Sequence, residues 1–207
     1  MSIELNLRAI LPPASEPPRV WPRLRHLLRG ASPAVAPGAW AQCRVDEAAR
    51  RAWRDPVQFR REQLPAGSRA RRVLDEAARR AGWSADAEPG TGRGIALAEK
   101  DGTWVAVVAV VDGARHVRQL VAAADAGPVI DFEMARDELT HGLHAGLEAA
   151  GYAADAAVIA VHWLVSDVRC ATRERAAADA AAPAVVNAWH ALQSTRSRGG
   201  AGEWPHG

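Results

Sequence analysis

Two histidines and two carboxylates lie close together in the stretch DELTHGLH and are the side chains best suited to binding a metal ion. His141 and His144 are three residues apart, and Asp137 and Glu138 lie one turn earlier in a predicted helix. Imidazole and carboxylate groups at this spacing share one helix face and can ligate a divalent metal. Several polar residues on one helix face more commonly only meet solvent, so we expect a solvated face and no metal site.

A glycine-rich stretch, GTGRG at residues 90 to 94, has the composition of a phosphate-binding loop. A dinucleotide site requires a strand before its glycines and a helix after them, so that the helix N-terminus faces the phosphate. Here a predicted helix precedes the glycines, a predicted strand follows them, and the spacing is GxGxG instead of GxGxxG. We therefore predict that Gly92 and Gly94 belong to a turn that leads into a sheet, and that they bind no phosphate.

The remaining candidates for chemistry are one histidine and two cysteines. His162 lies between apolar residues in a predicted strand, which predicts a hydrogen-bonded core histidine. Cys43 and Cys170 are far apart in sequence, form no CxxC pair, and predict neither a disulfide scaffold nor a zinc site. The sequence contains no GxSxG, HExxH or P-loop pattern. These residues alone therefore indicate no evident active site.

The composition excludes several classes of protein. With 207 residues and a net charge of +2, the chain is long enough for one domain and gives no reason to expect nucleic-acid binding. No run approaches the roughly 18 apolar residues of a membrane span. The first residues lack the basic and apolar regions of an export signal. We expect a cytoplasmic protein without a membrane span.

The positions of the prolines suggest how the chain is divided. Residues 11 to 39 hold about half of the thirteen prolines, which predicts an extended basic arm over residues 1–40. Within the arm, Trp21 to Arg29 alternates apolar and basic residues. We expect this segment to pack on its own domain. The alternative is that it docks on a partner protein. A globular domain over 41–198 and a loose tail over 199–207 complete the prediction.

The globular part begins with helices whose ends are marked by capping residues. Asp55 followed by Pro56 starts one helix, and Ser68 caps a second that ends at Gly82. The apolar residues of the second helix recur at helical spacing, and its other side carries five arginines: Arg69, Arg71, Arg72, Arg79 and Arg80. Because acidic Asp75 and Glu76 interrupt the arginines, we expect a solvated face and not a nucleic-acid site.

After Gly94 the apolar residues alternate with a period of two, which indicates strands. The turn sequences KDG and DG separate them and predict a three-stranded antiparallel meander over residues 93–99, 103–111 and 115–123. A helix over 133–150 capped by Asp131, a strand in AVIAVHWLV and a last helix starting near Pro183 complete the order. The predicted fold is α+β: a small antiparallel meander plus one further strand, packed against three or four helices.

Several short segments of the globular part carry motifs. The first motifs, in chain order, are RDPVQFRREQL, a predicted helix ending in AGW, GRGIA and TWVAVVAVV. They are followed by AGPVIDFEMARDELTHGLHAGLEAA, IAVHWLVSD and APAVVNAWHAL. In this order, over residues 55 to 198, they resemble the C-terminal part of the molybdopterin-binding large subunit of the xanthine dehydrogenase and aldehyde oxidase family. Within that family they look like the isoquinoline 1-oxidoreductase beta subunit.

The resemblance implies which positions would perform the chemistry of that family. The family's general-base glutamate, in a GEPGxPP loop, falls on Arg175, and the glycine before it falls on Glu174. An arginine stays protonated and cannot accept a proton from a metal-bound group. The cofactor-facing QMEGG motif corresponds to residues 138 to 142, so Glu138 and Gly142 are the implied cofactor-binding positions. We therefore expect no catalytic residue and no metal ligand in this chain.

The resemblance and these departures from it together predict a shortened, catalytically degenerate relative, a pseudoenzyme. We expect a non-enzymatic interaction or scaffold protein that pairs with a true large subunit or with itself. The alternative is one component of a split molybdopterin oxidoreductase, completed by a partner chain. No cofactor is expected for this chain alone, and a molybdopterin only if a partner subunit completes the site.

Overall fold

The computed structural model describes residues 37–127, 132–153, 158–164, 166, 170 and 172–199. Of the predicted arm it describes only the end, where Pro37–Trp40 forms a single 3-10 turn. The Trp21 to Arg29 segment, the proposed helix cap Asp131 and nearly all of the predicted tail lie outside the described residues. The predicted domain boundaries therefore stay predictions.

The described part of the chain has an α+β fold, which confirms the predicted class. Its elements are α1 Ala41–Arg51, α2 Pro56–Gln63, α3 Arg69–Arg80, β1 Thr91–Lys100, β2 Thr103–Asp112, β3 Val117–Asp125, α4 Phe132–Ala149, β4 Val158–Leu164 and α5 Arg173–Gly199. Helix α1 was not predicted from the sequence. No helix in the described ranges is long and apolar enough to cross a membrane.

The four strands form one sheet in the order β1-β2-β3-β4. The first three pair antiparallel, as the two short turns predict, whereas β4 runs parallel to β3. The third strand begins at Val117 because the Asp112 carboxylate accepts hydrogen bonds from the Ala114 and His116 amides and lengthens the turn before it. Gly92 and Gly94 lie inside β1 and not in a turn before it, which corrects the prediction for these two residues.

Helices cover both faces of the sheet. The register joins Gly94 to Ala109, Ala109 to Leu120, and Leu120 to Ile159, so these residues share the sheet face on which Gly94 packs against α5. Asp125 points to the opposite face, where its carboxylate contacts Arg69 of α3. Because both faces are covered, the central strands are apolar along almost their whole length, and β2 and β3 form the centre of the core.

The predicted helix caps are present where they were expected. The Asp55 carboxylate accepts hydrogen bonds from the amides of Val57 and Gln58, each at 2.9 Å. Ser68 accepts one from the Arg71 amide at 3.2 Å. Short polar side chains at these positions satisfy amides that have no partner inside the helix, which is why both helices begin where the sequence predicts.

The last helix starts ten residues earlier than predicted, at Arg173, and Pro183 lies inside it. Proline in a helix interior costs about 3 kcal/mol, because it lacks an amide hydrogen and crowds the preceding turn. The stretch before it is rich in alanine, the best helix former, and its side chains are almost fully buried. Burial of this face outweighs the proline, so the predicted helix start was wrong.

Candidate functional site

The residues that the family resemblance singles out lie around a groove lined by glycines, which we call the glycine groove: Gly92 and Gly94 of β1 and Gly142 and Gly146 of α4. Helix α5 fills this groove. A Cβ atom at Gly94 would lie 2.1 Å from the Ala188 amide nitrogen and 2.4 Å from the Ala184 carbonyl oxygen. The glycines of β1 therefore allow a helix backbone to pack directly on a strand.

The α4 side of the glycine groove is filled in the same way. A Cβ at Gly142 would lie 2.1 Å from the Glu174 carbonyl oxygen, and one at Gly146 would lie 2.8 Å from the Ala178 carbonyl oxygen. Gly142 is one of the two positions where the resemblance implies a molybdopterin. The space beside its Cα is taken by the backbone of α5, so the residues present do not fit a pterin at this position.

The polar residues at the positions implied by the resemblance form ion pairs, two of them between α4 and α5 and one within α5. Glu138 accepts a hydrogen bond from Arg173 at 3.0 Å, and His141 lies 3.7 Å from Glu174. Arg175, at the general-base position, is 3.5 Å from Asp179 one turn later in α5. The first two contacts hold the start of α5 against α4, whereas the third lies within α5.

The histidines considered as metal ligands do not come together with further ligands. His141 is 75% exposed and interacts with Glu174, and His144 is half-buried. Within the described residues, no group of three or more histidine, cysteine or acidic side chains is close enough to hold a metal ion.

His162 and Cys43 lie in surroundings that do not favour nucleophilic or acid–base chemistry. His162 is half-exposed on β4 and not in the core, and partial burial and the charge of Arg80 lower the pKa of its imidazole. The Cys43 thiol lies 3.9 Å from the Pro183 carbonyl oxygen, to which it donates. Burial, reinforced by Asp46, raises the pKa of the thiol to about 12, so Cys43 stays protonated.

A cluster centred on Asp125, which the sequence analysis missed, connects four segments of the chain. Asp125 is fully buried, and its two carboxylate oxygens accept from Arg69 at 2.8 and 2.9 Å. Ser166 donates to the same carboxylate at 2.6 Å, and Arg72 lies 3.3 Å away. Cys170 accepts a hydrogen bond from Arg69 at 3.4 Å and donates one to the Gly102 carbonyl oxygen at 3.1 Å. We call this set the Asp125 cluster.

The electrostatics of the Asp125 cluster favour the ionised carboxylate. Burial opposes the charge, but the hydrogen bonds from Arg69 and Ser166 outweigh it, and the pKa of Asp125 lies below its ordinary value. The hydrogen bond from Asp125 raises the pKa of the Arg69 guanidinium in turn. Two of the five arginines expected on a solvated face are therefore directed at Asp125, and the cluster attaches α3 to the end of β3.

The two edges of the sheet differ in how they are covered. At the outer edge of β1, Asn187 of α5 donates to the Ile95 carbonyl oxygen at 3.0 Å. The Leu97 amide donates to the Gln42 side chain of α1 at 3.4 Å. Side chains thus satisfy backbone groups that would otherwise be available to another strand.

The edge formed by β4 has no comparable cover among the described residues. Its sequence, VIAVHWL, contains no acidic, lysine, arginine or proline residue, and its described side chains are all half-exposed. Trp163 packs edge-on against Phe132 of α4, with ring centroids 6.3 Å apart, and Phe132 is itself 54% exposed. We call Ile159, Val161, Trp163 and Phe132 the β4 patch.

Stability is expected to fall as the pH falls from about 6.5 to about 4, because of His190 on α5. Burial, with a smaller effect of Arg50, lowers the pKa of His190 to about 4. Between these values the unfolded chain binds a proton that the folded chain does not, so the cost at acid pH is about 3 kcal/mol. Urea unfolding of His190→Gln at several pH values should show a weaker pH dependence than the wild type.

His116→Gln is the control for this experiment, because His116 is 67% exposed in the turn before β3. This variant should keep the loss of stability between about pH 6.5 and about 4 that His190→Gln reduces. A His190→Gln curve parallel to the wild-type curve would contradict the assignment of the effect to His190.

Comparison with known proteins gives little further information. No protein-family model matches the sequence, and no significant match to a curated protein is found. The structure is weakly similar to the Cu,Mo-containing CO dehydrogenase in its carbon monoxide reduced state, with 12% sequence identity and a TM-score of 0.37. The matched region covers 45% of this chain and 16% of that chain. A similarity this low does not indicate a function.

Proposed function

We propose that this chain is a non-enzymatic interaction or scaffold protein, formed from a shortened and catalytically degenerate relative of a molybdopterin-dependent large subunit. The contact between Gly142 and the Glu174 carbonyl oxygen carries the proposal. It places the protein's own helix in the space that a cofactor would need. The role belongs to a reducing compartment, since both described cysteines are free thiols.

The general-base position supports the same conclusion. Arg175 is the third residue of a regular helix and interacts with Asp179. A guanidinium cannot accept a proton at neutral pH, and a helix does not provide the flexible loop geometry that aims such a group at a substrate. Glu174, the neighbouring carboxylate, interacts with His141 on the outside of the helix pair.

The difference between the two sheet edges supports a role in binding other proteins. Proteins usually protect an edge strand with charges, prolines or covering side chains, as this chain does at β1. The apolar, uncharged β4 strand has the features of an edge to which another chain adds a strand.

Protein purified from its native host is expected to contain no stoichiometric molybdenum and to bring protein partners with it. Arg175→Ala should leave both results unchanged, because the described ion pair of Arg175 is with Asp179 of the same helix and neither result depends on that pair. Elemental analysis and mass spectrometry of the same sample measure the two quantities. Turnover of aldehydes and N-heterocycles should be undetectable for both proteins.

Molybdenum in the purified complex, lost on Arg175→Ala, would contradict the proposal and favour the split oxidoreductase completed by a partner chain. Arg51→Ala is the matched control, because it removes another arginine from a one-turn ion pair, with Glu47. It is expected to behave as the wild type in every assay.

A further inference from the structure

The edge of β4 is not covered by any described element of the chain. We propose that two copies pair their β4 strands antiparallel about a two-fold axis at Val161, forming one continuous sheet across the dimer. This inference rests on the proposed function and names the partner of the same surface. It concerns the edge strand and its flanking residues, not the glycine groove.

The absence of charge on β4 favours a second copy over a charged peptide. The strand Val158–Leu164 has no acidic, lysine or arginine side chain, and His162 is its one titratable group. Burial and Arg80 lower the pKa of His162, so the strand is neutral at neutral pH. A strand without charge has no group to pair with an acidic or basic partner, whereas a copy of itself introduces no unpaired charge into the contact.

The strand is also complementary to itself in the antiparallel direction. Val161 is the middle residue of the seven in β4, so an axis there pairs the whole strand. The facing pairs would be Val158 with Leu164, Ile159 with Trp163, Ala160 with His162, and Val161 with Val161. Aromatic and β-branched residues opposite each other are among the stabilising cross-strand pairs, and such a contact is isologous and closes after two copies.

The β4 patch adds apolar area on one face of this pairing. Ile159, Val161 and Trp163 share a sheet face because strand residues alternate, and Phe132 packs against Trp163 on that face. A two-fold axis perpendicular to the sheet brings the patches of both copies to the same side. The Trp163 and Phe132 rings of one copy would then cover Ile159 of the other, and their exposed area would be buried.

The two sheet edges explain why the dimer would form at β4 and not at β1. Asn187 and Gln42 occupy backbone groups of β1 that an added strand would require. On β4 the outward backbone groups are not covered by any described element of the sheet, since β4 is its last strand. The contact is therefore expected to form a dimer and not an open fibre.

A charge-swap experiment on Val161 tests the proposal. Wild-type full-length protein is expected to be a dimer by analytical ultracentrifugation at micromolar concentration. Val161→Lys and Val161→Glu should each weaken the dimer at least ~10-fold, because the axis places the two like charges directly opposite each other. An equimolar mixture of the two variants should recover a dimer that contains one chain of each, as native mass spectrometry can show.

Ala98→Lys provides the matched control. Ala98 is half-exposed, apolar and on the opposite edge strand, so the same charge there should leave the dimer intact. Recovery in the mixture also shows that both Val161 variants fold, because misfolded chains would not re-form a defined dimer.

Three outcomes would overturn the dimer. These are a monomeric wild type, a dimer that is indifferent to charge at Val161, and a dimer equally sensitive to Ala98→Lys. A monomer that captures a different protein through Val161 would overturn the second copy but leave the interaction function in place. Molybdenum and turnover in the purified protein would instead overturn the interaction function, whatever the oligomeric state.

Discussion

Gly94→Ala is expected to lower the free energy of unfolding by about 3 kcal/mol or more. The added Cβ would lie within 2.6 Å of three backbone atoms of α5, which belong to Ala184, Asn187 and Ala188. Backbone atoms inside a helix cannot move aside separately, so α5 as a whole has to shift away from β1.

This shift would affect more than one contact. Asn187 donates to the Ile95 carbonyl oxygen from the same part of α5, so the cover of the β1 edge would be weakened as well. Chemical denaturation followed by tryptophan fluorescence measures the loss. A variant too unstable to purify can be compared as a fraction of soluble protein, and that fraction should fall sharply.

Gly38→Ala is the matched control for the steric effect. An added Cβ at Gly38 meets no atom within 4 Å, so this substitution makes the same chemical change without a clash. We expect a change below about 0.5 kcal/mol. If Gly94→Ala were equally mild, the close packing of α5 on β1 would be wrong.

Asp125→Asn is expected to destabilise the fold by about 3 kcal/mol, because it removes one partner of a buried ion pair. The asparagine keeps the size of the side chain but cannot accept both hydrogen bonds from Arg69 or balance its charge. Arg69 is 19% exposed and can reach some water, which limits the loss. Because the pKa of Asp125 is lowered on folding, its contribution is complete above about pH 4 and is lost as the pH falls through the folded pKa.

Asp75→Asn is the control for Asp125→Asn. Asp75 also pairs with an arginine, Arg61, but it is 42% exposed at the surface. Exposed pairs contribute below about 1 kcal/mol, so a small change is expected in urea unfolding at neutral pH. Equal effects of the two substitutions would mean that Asp125 is not held by a buried pair.

The helix caps, the meander and the fold class could be predicted from the sequence because each depends on residues close to one another in the chain. Asp55 and Ser68 bond to amides two or three residues later, and the period of two in β1 to β3 follows from side chains that alternate between sheet faces. Such signals do not depend on where the rest of the chain lies.

The start of α5 could not be predicted in this way. Pro183 is a local signal for a helix start, and the alanines before it could have belonged to a loop. They are helical because their small side chains let α5 pack closely on β1 and α4, which outweighs the cost of the proline.

The candidate site, like the fold, could be predicted from the sequence only in part. A charge at residue 175 that cannot act as a base can be inferred from one position in the sequence, since a guanidinium is protonated in any surroundings at neutral pH. Three features follow only from the folded arrangement. Helix α5 fills the glycine groove, Asp125 contacts Arg69 although 56 residues separate them, and described side chains cover the edge of β1 but not that of β4. The residue types glycine and aspartate do not indicate which distant backbone or guanidinium they will contact, because burial and contact arise only when separate segments pack together.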